Sequence, residues 1–111
     1  MSYEIKGNNI TLTRGDTFIA QIEMLRDEEV YIPQEGESIR FAVKQKYKDP
    51  DESVLINKQI PIDTMLLEIE PADTKQMSMG KDYVYDIEFT DAYGHVDTFI
   101  SGILHVGEEV L

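Results

Sequence analysis

Residues 83–90 read Tyr83-Val84-Tyr85-Asp86-Ile87-Glu88-Phe89-Thr90, with a large apolar or aromatic side chain at every odd position. Val84, Asp86, Glu88 and Thr90 fall between them. Successive side chains of a strand point to opposite faces, so this alternation predicts a strand with one face packed and the other in water. The same period of two runs through Phe18, Ala20, Ile22 and Met24, through Ile39, Phe41 and Val43, and through Met65, Leu67 and Ile69. Half-buried antiparallel strands require that pattern.

Outward from these four runs, further strands are predicted over 10–12, 31–32, 54–60 and 96–106, the last with Gly102 marking a bulge or bend. Turn-forming residues separate them: Gly7-Asn8-Asn9, Arg14-Gly15-Asp16, Pro33-Gln34-Glu35-Gly36, Asp49-Pro50-Asp51 and Asp91-Ala92-Tyr93-Gly94. Helix has one predicted place, a short turn opening with Pro71 at a first helical position and ending before Gly80. About seven or eight short antiparallel strands with regular turn signals define an all-β sandwich or small barrel. The 111 residues fit a single domain over 1–111, long enough for one core.

Composition narrows the chemistry. The chain has no cysteine, which removes disulfides, thiolate metal sites and cysteine nucleophiles together. Its 22 acidic and 10 basic residues give a net charge of −12, unfavourable for nucleic acid or an anionic membrane surface. No signal segment opens the chain and no apolar run is long enough to span a membrane, so the expected place of synthesis is the cytoplasm. The charge is uneven. Residues 40–58 carry five basic and three acidic side chains, a net +2, leaving five basic and 19 acidic ones, a net −14, elsewhere.

The candidate sites each have a plain structural reading beside the functional one. Arg14-Gly15-Asp16 is the tripeptide that integrins read; it is also ordinary turn chemistry, with Asp16 bonding a backbone amide and Arg14 on a solvated rim. His95 and His105 have no serine motif to serve in a triad and are too few for a transition-metal set. Asp49, Asp51 and Glu52 lack the spacing of a calcium loop and read as a solvated hairpin tip. With no catalytic motif and no cofactor signature, the chain is expected not to be an enzyme.

Arg40, Lys44, Lys46 and Lys48 share one parity and line one face if their strand runs regularly to Lys48. With Lys58 they form either a solvated edge that discourages strand-on-strand aggregation or a patch that meets the acidic surface of another copy or partner. Tyr83 and Tyr85 are either plain core aromatics or include a corner tyrosine at Tyr83 that bonds back to the preceding turn.

Three stretches taken together are similar to a family of small immunoglobulin-like phage proteins from Gram-positive hosts, nearest to the N-terminal domain of the baseplate upper protein. They are Leu12-Thr13-Arg14-Gly15-Asp16-Thr17, Ile69-Glu70-Pro71-Ala72-Asp73-Thr74, and Gly80-Lys81-Asp82-Tyr83-Val84-Tyr85-Asp86-Ile87 continuing to Gly94 and Gly102-Ile103-Leu104-His105-Val106. The resemblance implies an immunoglobulin-like β-sandwich that serves as an assembly module in a tail, baseplate or head-to-tail structure. Its partners would be copies of itself and other virion proteins, and it would pass from the bacterial cytoplasm into the virion. It brings no catalytic residues or cofactors. The sequence departs from the baseplate pattern in ending just after Val110, without the longer body that would follow, which leaves a free-standing accessory or connector role open. The rival expectation is an immunoglobulin-like adhesion or ligand-binding module on a cell surface.

Overall fold

A computed structural model describes residues 3–6, by backbone alone, and 8–108. Gly7 of the first expected turn and Val110 lie outside the described residues. The chain is mostly β. In order it forms β1 (Tyr3–Lys6), β2 (Asn9–Thr13), β3 (Phe18–Gln21), β4 (Leu25–Arg26), β5 (Glu29–Val30), β6 (Ser38–Lys44), a 3₁₀ turn (Asp51–Ser53), β7 (Ile56–Ile60), β8 (Leu66–Ile69), α1 (Pro71–Lys75), β9 (Lys81–Thr90) and β10 (Val96–Gly107).

Six strands make one mixed sheet in the order β1-β2-β10-β9-β6-β7. Its inner face carries the alternating residues read from the sequence. Ile39, Phe41 and Val43 of β6 and Tyr83, Tyr85, Ile87 and Phe89 of β9 are all buried. The opposing layer is smaller: β3 paired with β8, the short β4–β5 hairpin, and α1. Phe18, Leu67 and Ile69 from the β3–β8 pair join the same apolar cluster, together with Met24 and Met77. Each large side chain taken fully out of water contributes about 1.5–3 kcal/mol, so this one cluster is what holds the two layers together.

Four expectations are corrected. The pairing of β2 with β10 is parallel, Ile10 opposite Leu104 and Leu12 opposite Val106, where antiparallel strands were expected throughout. Alternation is identical in both arrangements, and β2 is free of a hairpin with β3 because the chain changes layer at Arg14-Gly15-Asp16. Strand β6 ends at Lys44, because the chain turns where Asp49 accepts the Lys46 N–H at 3.2 Å and returns its own N–H to the Lys46 carbonyl at 3.1 Å. The strand expected at Tyr31 and Ile32 is instead β5, paired with β4 around Asp27 and Glu28, both at positive φ (49° and 67°). That geometry belongs to the two-residue turns that match strand twist.

Gly102 does not mark the bulge in β10. The register shift lies nearer the start of the strand, between Thr98 and Ile100, and Gly102 sits opposite Tyr85 in the regular part of the ladder. A Cβ at Gly102 would stand 2.0 Å from the Asn8 carbonyl oxygen. The glycine is there because another backbone passes directly over it.

Candidate interaction surfaces

The Arg14-Gly15-Asp16 turn docks on the end of α1. Arg14 donates from Nε to the Met77 carbonyl at 2.9 Å and from Nη2 to the Lys75 carbonyl. The Gly15 N–H, at a residue with φ of 85°, donates to Thr74 Oγ1 at 2.8 Å. Arg14 is therefore half-buried, not on a solvated rim, and it satisfies carbonyls that the last helical turn leaves open. Asp16 takes part through its backbone N–H, which donates to the Thr13 carbonyl at 3.1 Å. At the helix start Pro71 occupies the first turn, and the Asp73 carboxylate accepts the Glu70 N–H at 2.7 Å. Gly80, with φ of 74°, donates its N–H to the Val106 carbonyl at 2.7 Å and so leads the chain into β9.

Thr74 is the one buried polar side chain among the described residues. Thr74→Val keeps its shape and removes the acceptor for Gly15, so a loss of about 1.5 kcal/mol is expected in urea unfolding. A loss below about 0.5 kcal/mol would show that this bond does not hold the turn to the helix.

The two tyrosines divide their work. The Tyr83 hydroxyl accepts the Ser78 N–H at 2.8 Å, across the corner that joins α1 to β9. The Tyr85 hydroxyl donates to the Asn8 carbonyl at 2.5 Å, across the sheet. Burial pushes the Tyr85 phenol from 10.0 up to about 12, with nearby Tyr47 adding to the rise. A raised folded value means that this stabilisation is fully present below about pH 10 and is lost as pH climbs toward about 12. Spectrophotometric titration is expected to find a phenol ionising near that upper value, with the unfolding midpoint falling over the same interval. All tyrosines titrating together near 10 would contradict it.

The remaining polar candidates resolve into local pairs. His95 Nδ1 lies 3.1 Å from Asp91 Oδ2, and His105 Nδ1 lies 2.5 Å from Asp82 Oδ1. Asp91 also accepts the backbone N–H groups of Tyr93 and His95, each at 2.9 Å, and these bonds, that of His95 above all, hold its carboxyl below the usual range. Asp51 meets Lys44 at 3.0 Å. Among the described residues no group of three or more His, Asp or Glu is placed to hold a metal ion.

The basic strip separates into three parts. Arg40 and Lys44 lie on the outer face of the sheet, where Arg40 is 4.0 Å from Glu88 and Lys44 bonds Asp51 and the Asp49 carbonyl. Lys58 stands opposite Phe41 and therefore on the inner face, reaching Asp73 at 2.6 Å across the gap to α1. Lys46 and Lys48 have left the strand. They sit exposed in the turn after β6, on either side of Tyr47, which is 57% exposed.

Sequence reasoning missed a second surface at the other end of β6. Leu25 and Val30 face each other across the β4–β5 hairpin and are 56% and 58% exposed, and Ile32 just beyond is 68% exposed. Val30 and Ile32 form one wall of an open cleft of about 370 Å³, with Ile22, Ile62 and Met65 among the rest of its apolar lining. Glu23 and Asp63 line it as well. Tyr31, which also lines the cleft, is held in place: the Arg26 guanidinium stacks 4.2 Å over its ring, and its hydroxyl donates to Glu37 at 2.6 Å. That bond, with the Gln34 N–H, holds the Glu37 carboxyl below its ordinary value. Met65 adopts φ of 56°, a left-handed conformation uncommon for such a side chain, while its carbonyl accepts the Ile22 N–H at 2.7 Å. The available signal was the run of apolar residues at 22, 24, 25, 30 and 32, more than one strand face can bury.

Among the described residues no helix is long and apolar enough to cross a membrane. Compared with protein-family models, curated proteins and solved structures, the chain matches none.

Proposed function

We propose that this protein is a structural module of a phage or prophage particle, an immunoglobulin-like β-sandwich in tail, baseplate or head-to-tail assembly. It acts through protein–protein contacts with copies of itself or other virion proteins, and performs no catalysis. It would be made in the bacterial cytoplasm and end in the virion, without nucleic-acid or membrane partners. One observation carries the reading: Leu25, Val30 and Ile32 stand more than half exposed beside an apolar cleft on an otherwise strongly acidic chain. Apolar side chains grouped in this way mark surfaces that another protein covers. The resemblance to immunoglobulin-like phage proteins supplies the setting.

Mass spectrometry of particles purified after prophage induction in the source strain tests it. The chain is expected in the particles at a fixed ratio to the other structural proteins; particles that form without it would refute the reading. A second reading, an adhesion or ligand-binding module on a cell surface, draws on the same cleft because it lies at one end of the layers. A monomer that binds whole cells and is missing from particles would favour it.

A further inference from the structure

We propose that copies of this chain associate head to tail, the Lys46-Tyr47-Lys48 turn of one copy entering the cleft between the β4–β5 hairpin and residues 62–65 of the next. The inference deepens the assembly reading above and rests on it for its biological setting.

The two surfaces complement each other in chemistry. The turn offers an aromatic ring more than half exposed between two lysines, within residues 40–58, which carry a net charge of +2. The cleft offers an apolar lining of Ile22, Val30, Ile32, Ile62 and Met65, flanked by Glu23 and Asp63. Beside it, the hairpin adds Asp27 and Glu28 of its turn and Glu29 of β5. A tyrosine carries a large apolar surface with a polar tip, which suits a cleft that is apolar inside and wet at the mouth. Its volume of about 370 Å³ falls in the range of built ligand sites. The flanking lysines and carboxylates would set orientation and speed of encounter more than affinity.

The fold keeps the two surfaces apart. The hairpin is fixed to Phe89, which pairs with Ile39 near the start of β6, whereas the turn follows Lys44 at its end. Strand β6 has seven residues, so its ends lie roughly 20 Å apart. A chain therefore cannot fill its own cleft, and a second copy can. Such a contact joins two different surfaces, so each copy keeps one free turn and one free cleft and the series either closes into a ring or extends.

Light scattering and sedimentation velocity on the full chain test this with two variants at exposed positions, Tyr47→Asp and Ile32→Lys, each checked for an unchanged circular dichroism spectrum and unfolding midpoint. The wild-type mass is expected to rise with concentration at low salt and to fall as salt screens the lysine–carboxylate pairs. Each variant alone is expected to remain monomeric, with association at least ~30-fold weaker, the usual loss on removing a central aromatic or apolar anchor. Mixed together the two variants are expected to give a heterodimer and nothing larger, since one intact turn then meets one intact cleft. Weakened association in Lys46→Glu with Lys48→Glu should be restored by mixing with Glu23→Lys and Asp63→Lys chains.

A wild type that stays monomeric at every concentration and salt overturns the proposal. So does a mixture that stays monomeric while the wild type assembles, which would place the contact elsewhere, and so does cross-linking that finds a different protein in the cleft. These outcomes separate from the virion reading. Self-association through this contact by a chain missing from particles would refute only the virion role, and a monomer found in particles would refute only the head-to-tail contact.

Discussion

Phe89→Ala is expected to lower stability by about 4 kcal/mol and to abolish self-association with it. The ring is buried in β9, whose neighbours at that point are Ile39 of β6 and Asp97 of β10. Tyr31 meets it edge-on at 5.7 Å and 84°, and the Arg26 guanidinium lies 5.0 Å from its centre. Removing a buried phenyl ring loses its transfer free energy and leaves a cavity that the sheet on one side cannot fill. The hairpin on the other side could fill it only by moving inward, which would close the cleft. Chemical denaturation measures the first effect and light scattering the second. A loss below about 1.5 kcal/mol would mean that the hairpin is not anchored on this ring.

Gly102→Ala is expected to cost about 3 kcal/mol, an unusual price for one methyl group. The added carbon would lie 2.0 Å from the Asn8 carbonyl oxygen, 2.9 Å from its carbon and 3.0 Å from Tyr85 Cε1. Two of these neighbours are backbone atoms and cannot rotate aside. Relief requires shifting the turn that leads into β2, which also breaks the bond from the Tyr85 hydroxyl to Asn8. Gly94→Ala is the control: its φ of 86° strains an alanine, yet nothing lies within 4 Å of the new carbon. That variant should lose only about 1 kcal/mol. Equal losses at the two positions would refute the close approach as the reason for Gly102.

The layers were legible because burial imposes a period of two wherever a sheet covers a core, and Tyr83, Tyr85, Ile87 and Phe89 obey it without exception. Pro71 and the turn at Arg14-Gly15-Asp16 were legible because their backbone chemistry is local. Strand direction was not, since parallel and antiparallel neighbours bury the same residues. Nor was the face of Lys58. Its even number matches Arg40 and Lys44, but the β6–β7 register sets it against Phe41, and register is decided by the turn between strands, not by either strand alone. The hairpin around Asp27 and Glu28 contains no glycine, so its positive φ values gave no compositional signal. The cleft followed it out of view, because its walls come from segments about 30 residues apart that only the fold brings together.

The side-by-side run of β2 and β10 sets an order of events during synthesis. Ile10 cannot meet Leu104 until every strand between them has been made, whereas β6, β7 and β9 can pair earlier. β10 pairs with β9 across the short 91–95 loop, so the closure that spans a long loop, and is entropically slow, is the one that brings β2 to the other edge of β10. Until then that edge of β10 is open, and a nascent chain in a crowd of identical neighbours is exposed to pairing it with the β2 segment of one of them.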